Sequence, residues 1–340
     1  MEMKKIFKNK TILITGGTGF IGKNLIEEIL KYSPKSIRVF SRDEFKHHLL
    51  NQKFKMNFSK GKIRHLIGDV RDYERLKRAM RNCDIVIHAA ALKRIDMIEY
   101  NVEEAIKTNI VGTMNLAKAA IENEVGKVIF VSTDKACSPI NTYGACKLVG
   151  ERIIIESNFN KGNSKTILSC VRYGNVINST GSVLPFFVKK IKNNEPVPLT
   201  DKRMTRFMIS PKKAVELIFK AIKYGKGGEV FVPKIPSVNM EELISSLKEI
   251  YESSSKVEVI GIRPGEKLHE SMINNAEAPR TYEFEGNYVI TSQIETYQGR
   301  LYNYLSKSKK VAFEDYSSNN SLIKGIELKN YLENVKSIIG

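Results

Sequence analysis

The segment Thr11-Ile-Leu-Ile-Thr15 runs straight into Gly16-Gly-Thr-Gly-Phe-Ile-Gly22, and this junction constrains the fold more than any other feature of the chain. The first five residues are apolar and β-branched, as suits a strand buried on both faces of a parallel sheet. The spacing of Leu25, Ile26, Ile29 and Leu30 predicts a helix from Lys23 to Tyr32. In the order strand, glycine turn, helix, the glycines let backbone amides approach a pyrophosphate, and the helix N-terminus faces its charge. Gly16, Thr18, Gly19, Phe20, Ile21 and Gly22 are therefore candidate cofactor contacts, with Gly22 also letting the helix pack close to the strand.

Ile37–Phe40, Leu66–Val70, Asp84–Ala91 and Lys127–Ser132 read as further strands, alternating with helical stretches. That alternation predicts an α/β fold with a doubly wound parallel sheet of the Rossmann kind. The second strand of such a sheet ends at the adenosine ribose, where a carboxylate binds free hydroxyls. Here it ends in Ser41-Arg42-Asp43, with Lys46 close by; a guanidinium in that place favours a 2′-phosphate, and so NADP over NAD. Asp69 and Val70 are expected at the adenine, and the small residues Ala89, Ala90 and Ala91 let the cofactor lie close.

Ser132-Thr133-Asp134-Lys135 stands at a strand's carboxyl end, where open α/β sheets place ligands. Beyond it, Tyr143-Gly-Ala-Cys-Lys147 puts a phenol and an ammonium on one helical face. A nearby cation lowers a phenol pKa, which would make Tyr143 a base near neutral pH, and Lys147 would also hold the nicotinamide ribose. Asp134 and Lys135 read either as a structural ion pair or as an acid–base pair.

The 340 residues include 55 Lys and Arg against 37 Asp and Glu, a formal charge of +18. The lysines are scattered rather than gathered in a basic arm, so a solvated surface is expected and nucleic acid is not; part of the charge would steer a polyanionic small molecule. The four cysteines make no C-x-x-C pair and the histidines show no metal-ligand spacing, so neither a disulfide framework nor a metal is expected. No run is long and apolar enough for a membrane span, and no secretory leader is evident, which gives a cytoplasmic expectation.

Longer motifs add a resemblance. Thr15–Gly22 with Tyr143-x-x-x-Lys147 resembles the extended short-chain dehydrogenases/reductases. Ala89–Lys93, Glu99–Asn101, Lys107–Asn109, Ser132–Ala136, Val171–Val176, Asp201–Phe207, Phe231–Pro236 and Gly261–Glu270 are similar to the soluble polysaccharide-biosynthesis dehydratases, above all to the inverting UDP-N-acetylglucosamine 4,6-dehydratases of pseudaminic acid synthesis. Arg94 and Val102 depart from that pattern, where His and Pro are usual, and put fine substrate preference in question. The resemblance implies Asp134 as acid, Lys135 as C5 base, Thr133 beside them, and Lys93 and Asn109 at the cofactor. It further implies a UDP-sugar held by Lys93, Thr133, Asn175, Val183, Thr200, Arg206, Arg263 and Glu266, and a homo-oligomer, hexameric in the family. Residues 1–176 are expected to form the NADP-binding domain, with 208–235 returning to it; 177–207 and 236–340 form a smaller nucleotide-sugar domain and tail.

Overall fold

The computed structural model describes residues 2–179, 181–294 and 302–339. Residues 1, 180, 295–301 and 340 of the expected domains and tail lie outside the described residues. The parallel half of the main sheet contains β1 (Thr11–Thr15), β2 (Ser36–Ser41), β3 (Ile63–Ile67), β4 (Ile85–His88), β5 (Lys127–Val131) and β6 (Ile167–Val171). Their spatial order is β3-β2-β1-β4-β5-β6. Every residue of β1 is buried, as a Thr-Ile-Leu-Ile-Thr strand in the middle of such a sheet requires. The chain winds outward from β1 through β2 and β3, then restarts at β4 on the other side. The carboxyl ends of β1 and β4 therefore flank the switch point at which open sheets bind ligands.

The chain continues through β7 (Asn175–Val176), β8 (Val197–Leu199), β9 (Thr205–Ile209), β10 (Val230–Pro233) and β11 (Ser237–Asn239). β10 returns to the main sheet, parallel to β6, whereas β7, β9 and β11 form a separate sheet. Then come β12 (Val257–Val259), β13 (Ser271–Ile273), β14 (Thr281–Phe284), β15 (Asn287–Ile290) and β16 (Tyr316–Ser317). β12 pairs with β8, and β13 with β16. A second core gathers Leu184, Phe187 and Ile191 with Leu243, Leu247, Leu328 and Leu332 from three helices. Among the described residues, no helix is long and apolar enough to cross a membrane.

Three expectations change. β14 and β15 do not belong with the smaller unit: β15 pairs antiparallel with β10 and β14 antiparallel with β15, extending the main sheet to nine strands. Their turn, Glu285-Gly286, has positive φ at both residues (49° and 70°), the backbone that joins antiparallel strands tightly. The helix after the glycine turn begins at Phe20 rather than Lys23, because Gly19 is extended and caps it (φ −75°, ψ 178°). The third strand stops at Ile67; Gly68 passes so close to the Phe40 ring that a Cβ there would lie 2.5 Å from it.

Candidate active site

At the switch point the turn is built by contact. A Cβ on Gly16 would stand 2.8 Å from Ala90 N, and one on Gly22 would stand 2.4 Å from Gly17 O. Gly16 also has φ 66°. These positions admit only glycine without backbone movement. Gly19 supplies no side-chain cap, so the first amides of the Phe20–Leu30 helix, those of Phe20 and Ile21 among them, remain directed at the cleft. Thr18 Oγ1 lies 2.9 Å from Ser41 Oγ, joining the glycine turn to the end of β2. The glycine cradle and open helix end fit a dinucleotide pyrophosphate.

Beyond β2 the charged residues are interlocked. Arg42 Nη1 is 3.4 Å from Asp69 Oδ2. Asp69 also accepts from Arg71 Nε (2.9 Å) and Nη2 (2.8 Å), and these bonds outweigh burial and hold its carboxyl below the usual range. Asp43 caps the helix Glu44–Lys53 through Lys46 N (2.9 Å) and pairs with Lys46 Nζ (2.8 Å). Val70 is buried against Gly112. Lys93 follows the half-buried Ala89–Leu92 segment; its side chain is exposed overall, while desolvation around its amine lowers its pKa. Asn109, expected at the cofactor, also binds protein: Oδ1 accepts from Leu92 N and Nδ2 donates to Leu92 O, both at 2.9 Å. It fixes the segment after β4 from behind.

β5 and the helix Thr142–Ser157 bring the chemical groups together. Lys135 Nζ lies 3.1 Å from Asp134 Oδ1. Thr133 Oγ1 donates to that same oxygen at 2.9 Å. Asp134 is fully buried, and its other oxygen, Oδ2, has no hydrogen-bond partner among the described residues. Burial raises its pKa, Lys135 opposes the shift and Glu270 adds to it. For Lys135, burial is outweighed by Asp134 and Glu270, so the ammonium form is strongly favoured.

The Tyr143 phenol faces Thr133, Lys135 and Asp134, and burial pushes it up to about 12. The cation that opposes this is Lys135, not Lys147 as the helical spacing predicted. Lys147 Nζ donates to Val131 O at 2.8 Å and sits 4.4 Å from the centre of the Phe130 ring. Burial lowers it to about 8, against the pull of Glu151.

The smaller unit reaches this centre unevenly. Arg206 is buried on β9, donates to Thr205 O (2.8 Å) and Leu268 O (3.2 Å), and acts electrostatically on Lys135 and Glu270. Asn175 on β7 is half-buried, as are Thr200 and Val183, the first residue of the helix Val183–Lys192. Glu266 is half-buried, with Oε2 unpartnered among the described residues, whereas Arg263 stands exposed on the same loop.

Sequence reasoning missed two features. Glu270 Oε1 lies 3.2 Å from Lys135 Nζ, a contact no local spacing could reveal. Fully buried Arg172 bonds Glu151 (2.6 and 3.0 Å) and Glu277 (2.8 and 2.9 Å), and Glu151 accepts from Ser132 Oγ at 2.6 Å. Among the described residues no cluster of His, Cys, Asp and Glu is arranged for a metal, and all four cysteines are buried thiols outside any disulfide.

A 3-2-1-4-5-6 parallel sheet, a glycine cradle at its switch point, and a Tyr143–Lys147 helix beside Ser132–Lys135 define an enzyme fold of the extended short-chain dehydrogenase/reductase class. Within that class the chain belongs to the polysaccharide biosynthesis protein family, whose model matches residues 12–292. It is 46% identical over 292 residues to the inverting UDP-N-acetylglucosamine 4,6-dehydratase of Campylobacter jejuni, covering 85% of each chain. It is 40% identical over 325 residues to the UDP-glucose 4-epimerase of Rickettsia akari, covering 93% of each. The X-ray structure of Pen from Bacillus thuringiensis matches with a TM-score of 0.88 at 40% identity, covering 97% of this chain and 98% of that one.

Proposed function

We propose that the protein is a nicotinamide-dependent UDP-N-acetylglucosamine 4,6-dehydratase that inverts C5. The product would be the UDP-linked L-arabino 4-keto-6-deoxy sugar, for pseudaminic acid or a related surface sugar. The observation that carries this reading is the pair of buried Asp134 and half-buried Lys135, 3.1 Å apart, facing Tyr143. Oxidation and reduction at C4 need only the tyrosine. Removing water across C5–C6 needs in addition a base for the C5 proton and an acid for the departing hydroxyl, and this pair supplies one of each.

The glycine cradle would hold the pyrophosphate, Lys147 the nicotinamide ribose, and Arg42 with Ser41 and Lys46 the 2′-phosphate of NADP. When bound, the nicotinamide supplies a hydride acceptor for C4 and later a donor for C6. Tyr143 takes the 4-hydroxyl proton as its phenolate, the form that burial disfavours and the neighbouring Lys135 charge stabilises. The ketone at C4 acidifies C5, and Lys135 removes that proton. Asp134 Oδ1 is occupied by Thr133 and Lys135, so its acid proton belongs on the unpartnered Oδ2. From there it protonates the 6-hydroxyl as water leaves. Arg206, Arg263, Thr200, Asn175, Val183 and Glu266 would hold the UDP, with Lys93 and Thr133 at the sugar.

The similarity to a UDP-glucose 4-epimerase gives a second reading, in which Tyr143 and Lys147 serve alone. Mass spectrometry of the product made from UDP-N-acetylglucosamine separates the two. Dehydration lowers the mass by one water, and epimerisation leaves it unchanged.

A further inference from the structure

We infer that Glu270 is the proton acceptor that turns Lys135 from an ammonium into the amine that attacks C5. The inference deepens the dehydratase reading and rests on it. Its problem is chemical: a base must arrive without its proton, yet Lys135 sits between two carboxylates, 3.1 Å from Asp134 Oδ1 and 3.2 Å from Glu270 Oε1. The two are not equivalent. Asp134 is 0% exposed and burial drives it toward its acid form. Glu270 is 2% exposed, but Lys135, then Arg206 and Lys267, outweigh burial and favour its carboxylate. The resting triad is therefore acid, ammonium and carboxylate, with no net charge.

The position of Glu270 is fixed by its backbone. Its amide donates to Ser318 Oγ (2.9 Å), and Ser318 N donates to its carbonyl (2.7 Å). Ser318 is in turn tied to Thr205 on β9, which also contacts His269 Nδ1 at 2.8 Å. The ionisable groups around the carboxylate are thus Lys135 and Asp134 after β5, Arg206 on β9, and Lys267 and His269 on its own loop. Glu270 Oε2 is buried with no partner among the described residues, leaving room for a proton.

The cycle balances. Lys135 passes one proton to Glu270 and becomes neutral. The C5–H bond breaks, its proton goes to Lys135 and its electron pair forms the enolate. The C6–O bond breaks as Asp134 gives its proton to the leaving hydroxyl, and water departs. The C5 proton of the product comes from Tyr143, which had received the 4-hydroxyl proton. The triad is left as carboxylate, ammonium and acid, and one proton moved from Glu270 through Lys135 to Asp134 restores the starting state. Without Glu270, the amine forms only by loss of a proton to solvent.

The test is Glu270→Gln in the full-length enzyme with UDP-N-acetylglucosamine and cofactor. The variant keeps both backbone bonds to Ser318. We expect kcat to fall about a hundredfold or more with KM little changed, as for loss of a proton-transfer partner. Reduced nicotinamide should accumulate, read by its near-ultraviolet absorbance, because C4 oxidation proceeds and C5 deprotonation stalls. Residual kcat should rise about tenfold per pH unit near neutrality, as a single deprotonation requires, a slope the wild type lacks. Glu270→Asp should recover part of the rate. Wild-type turnover by Glu270→Gln overturns the inference, as does lost turnover with no reduced nicotinamide and an unchanged pH slope. A wild-type product that keeps its water overturns the dehydratase reading, and the relay with it.

Discussion

Asn141 and Gly265 are joined by a hydrogen bond of 2.8 Å from the side-chain amide to the backbone carbonyl. The other end of that amide accepts from Gly144 N, also at 2.8 Å, and so caps the helix that carries Tyr143. One side chain thus couples the Tyr143 helix to the loop bearing Arg263 and Glu266. Gly265 has φ 78°, and a Cβ there would lie 3.2 Å from Asn141 Cβ, so the approach depends on glycine.

Asn141→Ala should therefore do two things. Loss of the cap costs about 1 kcal/mol of stability, measurable by denaturant unfolding. KM for the UDP-sugar should rise as the loop is released. Asn141→Asp keeps the cap and loses the donor to Gly265. It should show the KM effect without the stability loss, and equal stability losses in both variants would contradict the division.

Removing Arg172 leaves Glu151 and Glu277 buried without their shared cation. Arg172→Met should lower stability by about 3–5 kcal/mol, the range for breaking one side of a buried ion network. Urea unfolding reads the loss. A change below about 1 kcal/mol, as for an exposed pair, would show that the network does not hold helix, β6 and C-terminal segment together.

Arg42→Ala should weaken NADP binding about ten- to hundredfold while leaving NAD affinity nearly unchanged, the scale of one charge-assisted hydrogen bond. Titration calorimetry with both cofactors decides it. Equal losses would assign Arg42 to its Asp69 contact and not to the 2′-phosphate.

His88 is fully buried, with Thr15 Oγ1 at 2.6 Å and Thr113 Oγ1 at 3.2 Å, and burial lowers its pKa from 6.5 to about 3. Above pH 6.5 it is neutral whether folded or unfolded and contributes no pH dependence. Below that, the unfolded chain binds a proton the folded one refuses, so stability falls with pH down to the folded value. Between pH 6 and 5 the wild type should lose about 1.2 kcal/mol more than His88→Gln. Parallel pH dependences for the two proteins would contradict this origin.

The glycine turn, the strand alternation and the Ser132–Lys135 strand end were legible because each is written in consecutive residues whose spacing matches one period. What was not legible depends on chain closure. Glu270 meets Lys135 only because β13 pairs with β16 and Ser318 fixes the backbone between. The Tyr143–Lys147 spacing placed both residues on one helix correctly, but where an ammonium points is decided by Val131 O and the Phe130 ring on a neighbouring strand. Nothing in the sequence around Asn109 indicates that Leu92 takes both ends of its amide.

The central claim is that Lys135 and Asp134 remove water across C5–C6 while Tyr143 returns a proton to the opposite face. The most direct test is an NMR time course of the purified enzyme acting on UDP-N-acetylglucosamine in deuterium oxide, read before spontaneous epimerisation sets in. The account predicts a first-formed 4-keto-6-deoxy product with deuterium at C5 and L-arabino ring couplings. A first product with D-xylo couplings would contradict inversion, and a product that keeps its 6-hydroxyl and its C5 hydrogen would contradict dehydration itself.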